Sequence, residues 1–266
     1  MDCQHLSAIR TATDRGRPAM SQTLDRALHI LDFVGERPRR ISEIATLLEV
    51  HHSTALRLLH TLRKHGFVHE LPDHHYRLGS AIFRLGFQAL EGIEIRSVAK
   101  PFMEQLNALT GETVHLGTLE DGDVVYVEKV EASHRVRMHS RIGAVAPLHC
   151  TGVSKAILAF LPTDQRQRLL AGHDFKRFTD YTLITVETFE ADLTLSRERG
   201  YAVDAEEHEP GIHCAAAPVF TAEGDVAGAF SLSVPMSRID RQTLLSFVPS
   251  LLDATRGASM QFGWNG

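Results

Sequence analysis

The stretch Ser42–Leu78, SEIATLLEVHHSTALRLLHTLRKHGFVHELPDHHYRL, decides the fold of the first part of the chain. Its apolar spacing predicts a short helix capped by Ser42, followed by a second helix that ends at Gly66. The second helix should turn three leucines inward: Leu56, Leu59 and Leu62. The alternating residues that follow, on both sides of a Pro-Asp turn, predict a β-hairpin.

Another helix precedes this stretch, because apolar residues recur at helical spacing after Ser21, its expected N-cap. Three helices followed by a hairpin are typical of a winged helix-turn-helix, in which only a few residues separate the two central helices. A three-helix bundle with an accessory hairpin is the alternative. Residues 1–20 lack periodicity, which predicts a disordered tail, and Ser80–Glu91 predicts a linker helix.

The outer face of the helix that ends at Gly66 favours DNA binding. No acidic residue lies between Val50 and Val68, whereas a solvated face normally carries both signs. The candidate DNA-facing residues are His52, Ser53, Thr54 and Arg57. Arg57 is the candidate for a contact with a base edge. The candidates for phosphate contacts are Arg39 and Arg40 on the turn and Arg77 on the wing.

The remainder of the chain predicts an α+β domain with an antiparallel sheet. Two hairpins are expected, at residues 113–130 and 212–234, and two more strands at Val136–Ser140 and Tyr201–Asp204. The predicted helices cover residues 93–109, 151–161, 188–199 and 240–262, the last one with a kink at Pro249.

The composition fits a two-domain globular protein: 266 residues, 43% hydrophobic and 23% charged. No apolar run is long enough to span a membrane. The net charge of −5 divides into +2 for residues 1–91 and −7 for residues 92–266, which allows a nucleic-acid binder joined to a separate domain. Three widely spaced cysteines argue against a disulfide framework and favour a reducing cytoplasm.

A small anion site is predicted where the helix at residues 151–161 begins. Thr151 is a natural N-cap, and the free N–H groups of Gly152 and Val153 lie at the positive end of the helix dipole. An ordinary capped helix without a ligand is the alternative.

Two strands supply further polar groups. Period-2 alternation turns Ser231 and Ser233 to one face and the neighbouring apolar residues to the other. Cys214 lies on a second strand, and Asp204 ends a third. If these groups face the helix start, they enclose a small polar cavity that suits a carboxylate of a few heavy atoms up to a single ring.

Two other functions are possible from these residues. A Cys-dependent enzyme would use Cys150 or Cys214 with a neighbouring histidine, but His213 and Cys214 point to opposite faces of a strand. A metal-responsive regulator would draw on His149, His213 and the cysteines, or on histidines near the wing, His51, His52, His69, His74 and His75. These spacings match no standard zinc signature, and no cofactor is predicted.

Taken together, these motifs resemble the isocitrate lyase regulator (IclR) family of bacterial transcription factors over about Ser21 to Phe262. The most specific stretches are Arg26–Asp32, Ser53–Leu62, Tyr76–Gly79, Gly111–Leu116, Ala146–Cys150, Lys155–Leu161 and Gly200–Val219. One departure lies just before Ser53, where His51 and His52 replace the Pro-Lys pair that is frequent in the family, so that a fixed cation is lost.

The resemblance implies a winged helix-turn-helix at residues 21–79, a linker helix at 80–92 and a GAF-like effector-binding domain at 93–266. It also implies a homodimer or homotetramer on a near-palindromic DNA operator. The effector carboxylate would meet the N–H groups of Gly152 and Val153. The other effector-binding positions would be Met138, Asp204, Cys214, Ser231 and Ser233. We therefore expect a cytoplasmic transcriptional regulator, by default a repressor, that responds to a small organic acid and is not an enzyme.

Overall fold

The computed structural model describes residues 21–91, 94–134 and 140–266, and the chain divides into two compact units between Ala89 and Leu90. The tail predicted at residues 1–20 lies outside the described residues. The same holds for Met138 and for nearly all of the strand predicted at Val136–Ser140, of which only Ser140 is described.

The first unit is helical, with a small three-stranded sheet. Its elements are α1 (Gln22–Glu36), β1 (Arg39–Arg40), α2 (Ile41–Leu47), α3 (His52–Lys64), β2 (Val68–Glu70), β3 (His75–Leu78) and α4 (Ser80–Glu91). The sheet order is β1-β3-β2, and both pairings are antiparallel. Helices α2 and α3 followed by the β2-β3 wing form the expected winged helix-turn-helix.

The three helices pack around one apolar cluster that includes Ile30, Ile44 and Leu59. The predicted inward position of Leu56 is wrong, because this side chain is 51% exposed, whereas Ala55 takes the buried position next to it. Gly66 has a φ of +75°, the left-handed conformation that glycine adopts without strain after a helix.

The second unit contains a six-stranded antiparallel sheet with the order β6-β5-β4-β9-β8-β7. Its strands are β4 (Thr113–Glu120), β5 (Asp123–Val130), β6 (Val145–Ala146), β7 (Ala202–Ala205), β8 (Ile212–Phe220) and β9 (Val226–Pro235). Its helices are α5 (Glu94–Thr110), α6 (Gly152–Phe160), α7 (Thr163–Leu170), α8 (Val186–Arg199), α9 (Arg241–Ser246) and α10 (Val248–Gln261).

Helices cover both faces of this sheet, which gives the α+β layering that the sequence predicts. Helices α5 and α10 share an apolar cluster with Phe230 and Leu232 of β9. On the other face, α6 and α8 form a second cluster. The alternation of β9 therefore turns its apolar residues toward α5 and its serines toward α6.

Several boundaries differ from the sequence predictions. Ser42 lies inside α2, which begins at Ile41, and Ser21 makes no side-chain capping bond. The C-terminal helix is divided into α9 and α10, with Pro249 in the first turn of α10, where a residue without an N–H costs no hydrogen bond. The short elements β1, β6 and α7 were not predicted, because two residues or a polar turn carry no periodicity. None of the helices in the described part of the chain has the length and apolar character needed to cross a bilayer.

Candidate functional site

Helix α3 begins with a local cap that orders its first turn. The Nδ1 atom of His51 accepts a hydrogen bond from the backbone N–H of Ser53 at 3.3 Å and lies 2.9 Å from the Ser53 hydroxyl. A side chain that accepts from the second helical N–H satisfies a donor that has no partner within the helix. His51, one of the departures from the family pattern, is therefore the N-cap of α3.

The residues predicted to face DNA lie on the solvent side of α3. His52, Ser53 and Arg57 are exposed and Thr54 is half-buried. Among the described residues, no carboxylate forms an ion pair with the guanidinium of Arg57. Further along the helix, Arg63 is paired with Glu70 of the wing. Of the three Lys and Arg side chains of α3, Arg57 and Lys64 therefore have no ion pair within the described part of the chain, and Arg63 has one.

Arg39 differs from the other predicted phosphate contacts because it is buried. Its side chain is buried, its Nε donates to the Phe33 carbonyl at 3.1 Å, and its guanidinium lies 3.8 Å from the centre of the Phe33 ring. Ion pairs with Glu36 and Glu43 neutralise it. A buried guanidinium that is stacked on a ring and paired with two carboxylates stabilises the unit and is less available to a phosphate than an exposed one.

The other two predicted phosphate contacts stay accessible. Arg40 and Arg77 are both exposed. Arg40 Nε lies 3.2 Å from His75 Nε2, and Arg77 donates to the carbonyl of Leu78 at 2.9 Å. Each contact uses one donor of a guanidinium that has five, so both side chains retain donors for an anion.

The second unit contains a cavity of about 200 Å³ between the sheet and the start of α6. Its walls are formed by His115, Tyr126, Ser140, Ala144, Val145, Pro147, Thr151, Gly152, Asp204, His208, Glu209, Ile212, Cys214, Ser231 and Ser233. Most of these side chains are polar, although the site is largely buried. Such a cavity suits a small ligand whose polar groups are oriented by hydrogen bonds.

The register of four strands brings the polar side chains together. His115 of β4 lies opposite Ser231 of β9, and Cys214 of β8 lies opposite Ser233 of β9. Asp204 of β7 lies opposite Cys214. Paired residues on adjacent strands share one face of a sheet. Residues far apart in sequence therefore form one polar surface.

A chain of hydrogen bonds orders this surface. The thiol of Cys214 donates to Ser233 Oγ at 3.2 Å, and Ser233 Oγ lies 3.3 Å from His115 Nδ1. The other ring nitrogen of His115 lies 2.6 Å from Ser140 Oγ. Burial, and to a smaller extent the charge of Lys129, lowers the pKa of His115 to about 3, so the ring is neutral. It presents one donor and one acceptor in fixed directions.

The start of α6 forms the opposite wall. The hydroxyl of Thr151 makes no capping bond and lies 2.9 Å from the Pro147 carbonyl instead, which leaves the first N–H groups of the helix without a side-chain acceptor. A Cβ atom at Gly152 would lie 3.1 Å from Cys214 Cβ and 3.3 Å from Ser231 Oγ. Glycine therefore keeps the helix start open to the cavity.

Asp204 is the most strongly perturbed acid of the cavity. Burial, followed by the charge of Glu207, raises its pKa to about 7. Its Oδ1 atom accepts the backbone N–H of Glu207 at 2.8 Å. Burial also raises the pKa of the Cys214 thiol well above its usual value, and it raises that of Cys150. Both cysteines are free thiols.

Of the predicted effector-binding residues, the structure brings Gly152, Asp204, Cys214, Ser231 and Ser233 to one cavity. The side chain of Val153 does not line it and packs in the apolar cluster under α6, which leaves only its N–H group as a candidate contact.

The sequence reasoning missed five polar residues of the lining: His115, Tyr126, Ser140, His208 and Glu209. Alternation along β4 was an available signal for His115, because its neighbours Val114 and Leu116 both belong to the opposite, apolar cluster. Among the described residues, no three His, Cys, Asp or Glu side chains are arranged to hold a metal ion.

Two family models match the chain. Residues 23–72 match the IclR helix-turn-helix domain, and residues 87–260 match the C-terminal domain of the bacterial transcriptional regulator IclR. The HTH-type transcriptional regulator XynR of Escherichia coli (strain K12) is 37% identical over 91% of this chain and 98% of its own. The transcriptional repressor IclR of the same organism is 30% identical over 96% of this chain and 94% of its own.

Solved structures show the same architecture. The crystal structure of IclR from Thermotoga maritima superposes with a TM-score of 0.79, at 31% identity, over 91% of this chain and 99% of its own. An IclR homologue from Microbacterium hydrocarbonoxydans, crystallised with 4-hydroxybenzoate, has a TM-score of 0.77 at 22% identity, over 90% of this chain and 98% of its own. The second likeness concerns the fold alone.

Proposed function

We propose, from the premise that this chain belongs to the IclR family of bacterial transcriptional regulators, that it is a repressor whose DNA affinity is set by a small organic acid. DNA-binding regulation of transcription is the function of the family. The sign of regulation is taken from relatives named as repressors. A bacterial regulator acts where the chromosome is, so we place the protein in the cytoplasm.

The exposed face of α3 supports the assignment of the DNA contacts. Arg57 would read a base edge in the major groove, and Ser53 and Thr54 would orient the helix on the backbone. Arg40 and Arg77 would contact phosphates on the two sides. A homodimer or homotetramer would set two α3 helices about one helical turn apart on a near-palindromic operator.

The cavity is the single observation that carries the proposal of an effector. Its size suits a ligand of a few heavy atoms up to one ring. We propose that the ligand carboxylate accepts from the N–H groups of Gly152 and Val153, while Ser231, Ser233 and Asp204 bind its other polar groups. The 4-hydroxybenzoate in the homologous structure is a carboxylate of this size.

The alternatives fit the site less well. A cysteine nucleophile needs a lowered thiol pKa, whereas burial raises the pKa of both Cys150 and Cys214. His149, the neighbour of Cys150, lies 2.9 Å from both His173 Nε2 and the Lys176 carbonyl, so both its ring nitrogens are occupied. We therefore propose a binding role for Cys214 rather than a catalytic one.

The test uses the full-length protein and a duplex that it selects from a random library. Its affinity for this duplex and for scrambled DNA is measured by fluorescence anisotropy, with and without pyruvate, glyoxylate, gluconate or 4-hydroxybenzoate. We expect a preference for the selected duplex and a change of about 5–150-fold in its affinity with at least one acid. No preference at any salt concentration would contradict the DNA assignment, and no response to any acid would contradict the effector assignment.

A further inference from the structure

Lys155 is a charged side chain in the middle of the second unit, and the proposed binding of DNA and acid does not use it. It lies on α6, one turn after the cavity residue Thr151, and is completely buried. Its ammonium group donates to the Val203 carbonyl at 2.6 Å and to Glu207 Oε1 at 2.7 Å, and it lies 2.8 Å from Asp192 Oδ2. The first two contacts are hydrogen bonds and the third is an ion pair.

Two of the three acceptors lead directly to Asp204. Val203 immediately precedes Asp204 on β7. Glu207 donates its backbone N–H to the Asp204 carboxylate at 2.8 Å, and its own carboxylate accepts from the N–H of Ala205 at 3.4 Å. Lys155 thus holds the turn 203–207 from both ends, and this turn directs Asp204 into the cavity. Asp192 of α8 has no such connection.

Stability alone is a weak explanation for this arrangement. An ammonium group and two carboxylates lose their hydration on burial, and an apolar side chain of the same volume is often equally stable or more so. What an apolar side chain cannot do is hold the turn 203–207 by directed hydrogen bonds. Lys155 stays charged, because Glu207 and Asp192 raise its pKa against the effect of burial.

We propose that Lys155 is a positioning residue for the effector site: it fixes the turn 203–207 to helix α6, so that the Asp204 carboxylate and the Gly152 N–H group face the same bound acid. This inference rests on the proposed function, since it names the residue that holds the two walls of that cavity together. Lys155 itself does not line the cavity and touches no ligand.

The principal test replaces Lys155 by methionine, which keeps the length of the side chain and removes the charge. We expect Lys155→Met to bind the acid that the wild type responds to at least about tenfold more weakly, because Asp204 loses its orientation. Affinity for the selected duplex without acid should stay unchanged. Arg166→Met is the matched control, because Arg166 is also buried and ion-paired to α8, at Glu190, but lies outside the cavity.

A second readout needs no ligand. Amide hydrogen exchange, followed by mass spectrometry on peptides that cover residues 203–208, reports the N–H of Glu207. We expect faster exchange in Lys155→Met and unchanged exchange in Arg166→Met. Unchanged exchange in both variants would overturn the inference, even if no acid of the panel binds and the effector proposal itself fails.

A second pair of variants covers the case in which Lys155→Met does not fold. Glu207→Gln and Asp192→Asn each remove one negative charge next to Lys155, but only Glu207 is connected to Asp204. We expect Glu207→Gln to accelerate exchange in residues 203–208 and to weaken acid binding severalfold, with little change in Asp192→Asn. Equal effects of the two substitutions would reduce Lys155 to a structural ion pair.

Discussion

On helix α3, Arg57 faces solvent without a carboxylate partner among the described residues, whereas the polar side chains of the cavity are buried and bonded to one another. The difference follows from the two kinds of ligand. DNA brings its own strong field of phosphates, so the protein needs accessible cations and little preorganisation. A small acid offers few contacts, so its binding groups must be oriented in advance.

The same contrast separates the expected effects of substitutions. A change on α3 should alter DNA affinity and leave acid binding intact, and a change in the cavity should do the reverse. Changes in the cavity should also be larger, because a buried polar group that loses its partner is penalised more than an exposed one.

The largest effect is expected from Ser231→Val combined with Ser233→Val. The double variant removes two hydroxyls that face the acid and leaves His115 and Cys214 without their common partner. Losing two hydrogen bonds to a charged ligand should weaken acid binding roughly 100-fold or more. Isothermal titration calorimetry with the responsive acid measures the loss, and anisotropy should show unchanged affinity for DNA without acid.

Thr255→Val is the control for this pair. Thr255 is buried on α10, and its hydroxyl donates to the Leu252 carbonyl, away from the cavity. The control should bind the acid like the wild type. If acid binding survives in the double serine variant, the binding site lies elsewhere.

The next largest effect is expected from Arg57→Ala. Loss of a bidentate contact with a guanine edge should weaken binding to the selected duplex by about 1–3 kcal/mol, or about 5–150-fold. Binding to scrambled DNA should fall much less, so that the specificity ratio drops. Arg77→Ala should instead weaken both duplexes alike. Equal losses on both duplexes for Arg57→Ala would assign this residue to the phosphate backbone.

A smaller effect concerns the pH dependence of acid binding. Because the pKa of folded Asp204 is raised to about 7 from 3.8, the folded protein keeps a proton that the unfolded chain loses. The contribution of this group to stability therefore decreases as the pH rises from about 4 to 7. Above pH 7 the ionised Asp204 repels an anionic ligand, and affinity for the acid should fall by at most about tenfold per pH unit.

The ionisable groups around Asp204 determine which control the pH experiment needs. His115 stays neutral because its pKa is lowered to about 3, and burial also lowers the pKa of His208. Glu207, whose pKa is raised, and Lys155 complete the charged surroundings, together with Glu209. Asp204→Asn removes the group that titrates near pH 7 and should flatten the profile between pH 6 and 8.5. An unchanged profile in this variant would exclude Asp204 as the titrating group.

The order of the elements could be predicted from the sequence wherever apolar spacing was regular. Helix α3, the wing and the β8-β9 hairpin are such cases, since one face of each packs in an apolar cluster. The short strands β1 and β6 have no pattern of their own and exist only because a neighbouring strand pairs with them. Arg39 could not be assigned from sequence, because only the folded unit shows that its guanidinium stacks on Phe33.

The cavity could be predicted only in part, because some of its residues follow from a pattern within one strand and others from the pairing between strands. Ser231, Ser233 and Cys214 follow from alternation within single strands. Alternation along β4 indicates the face on which His115 lies, but only the pairing of β4 with β9 and with β5 brings His115 and Tyr126 to the same site, and sequence spacing does not give that register. On α3 no such register is needed, because one helix carries His52, Ser53, Thr54 and Arg57. Helical spacing alone therefore predicts that these four residues lie close together.

The smallest effect is expected from His51→Ala. This substitution sharpens the comparison between α3 and the cavity, because it changes the order of α3 rather than its charge. Removing the acceptor of the Ser53 N–H should destabilise the first turn by about 1 kcal/mol, equivalent to roughly fivefold faster amide exchange there.

His51→Asn restores a good N-cap and should return the exchange rate to that of the wild type. His52→Ala removes an exposed neighbour that is not the cap and should leave exchange unchanged. If both alanine variants behave alike, the cap is unimportant, and the order of α3 comes from the packing of its own Ala55 and Leu59 into the apolar cluster. If only His51→Ala accelerates exchange, the first turn of α3 is ordered in advance by its cap, as the cavity is ordered by its hydrogen bonds. The two regions then differ in the exposure of their charges but not in preorganisation.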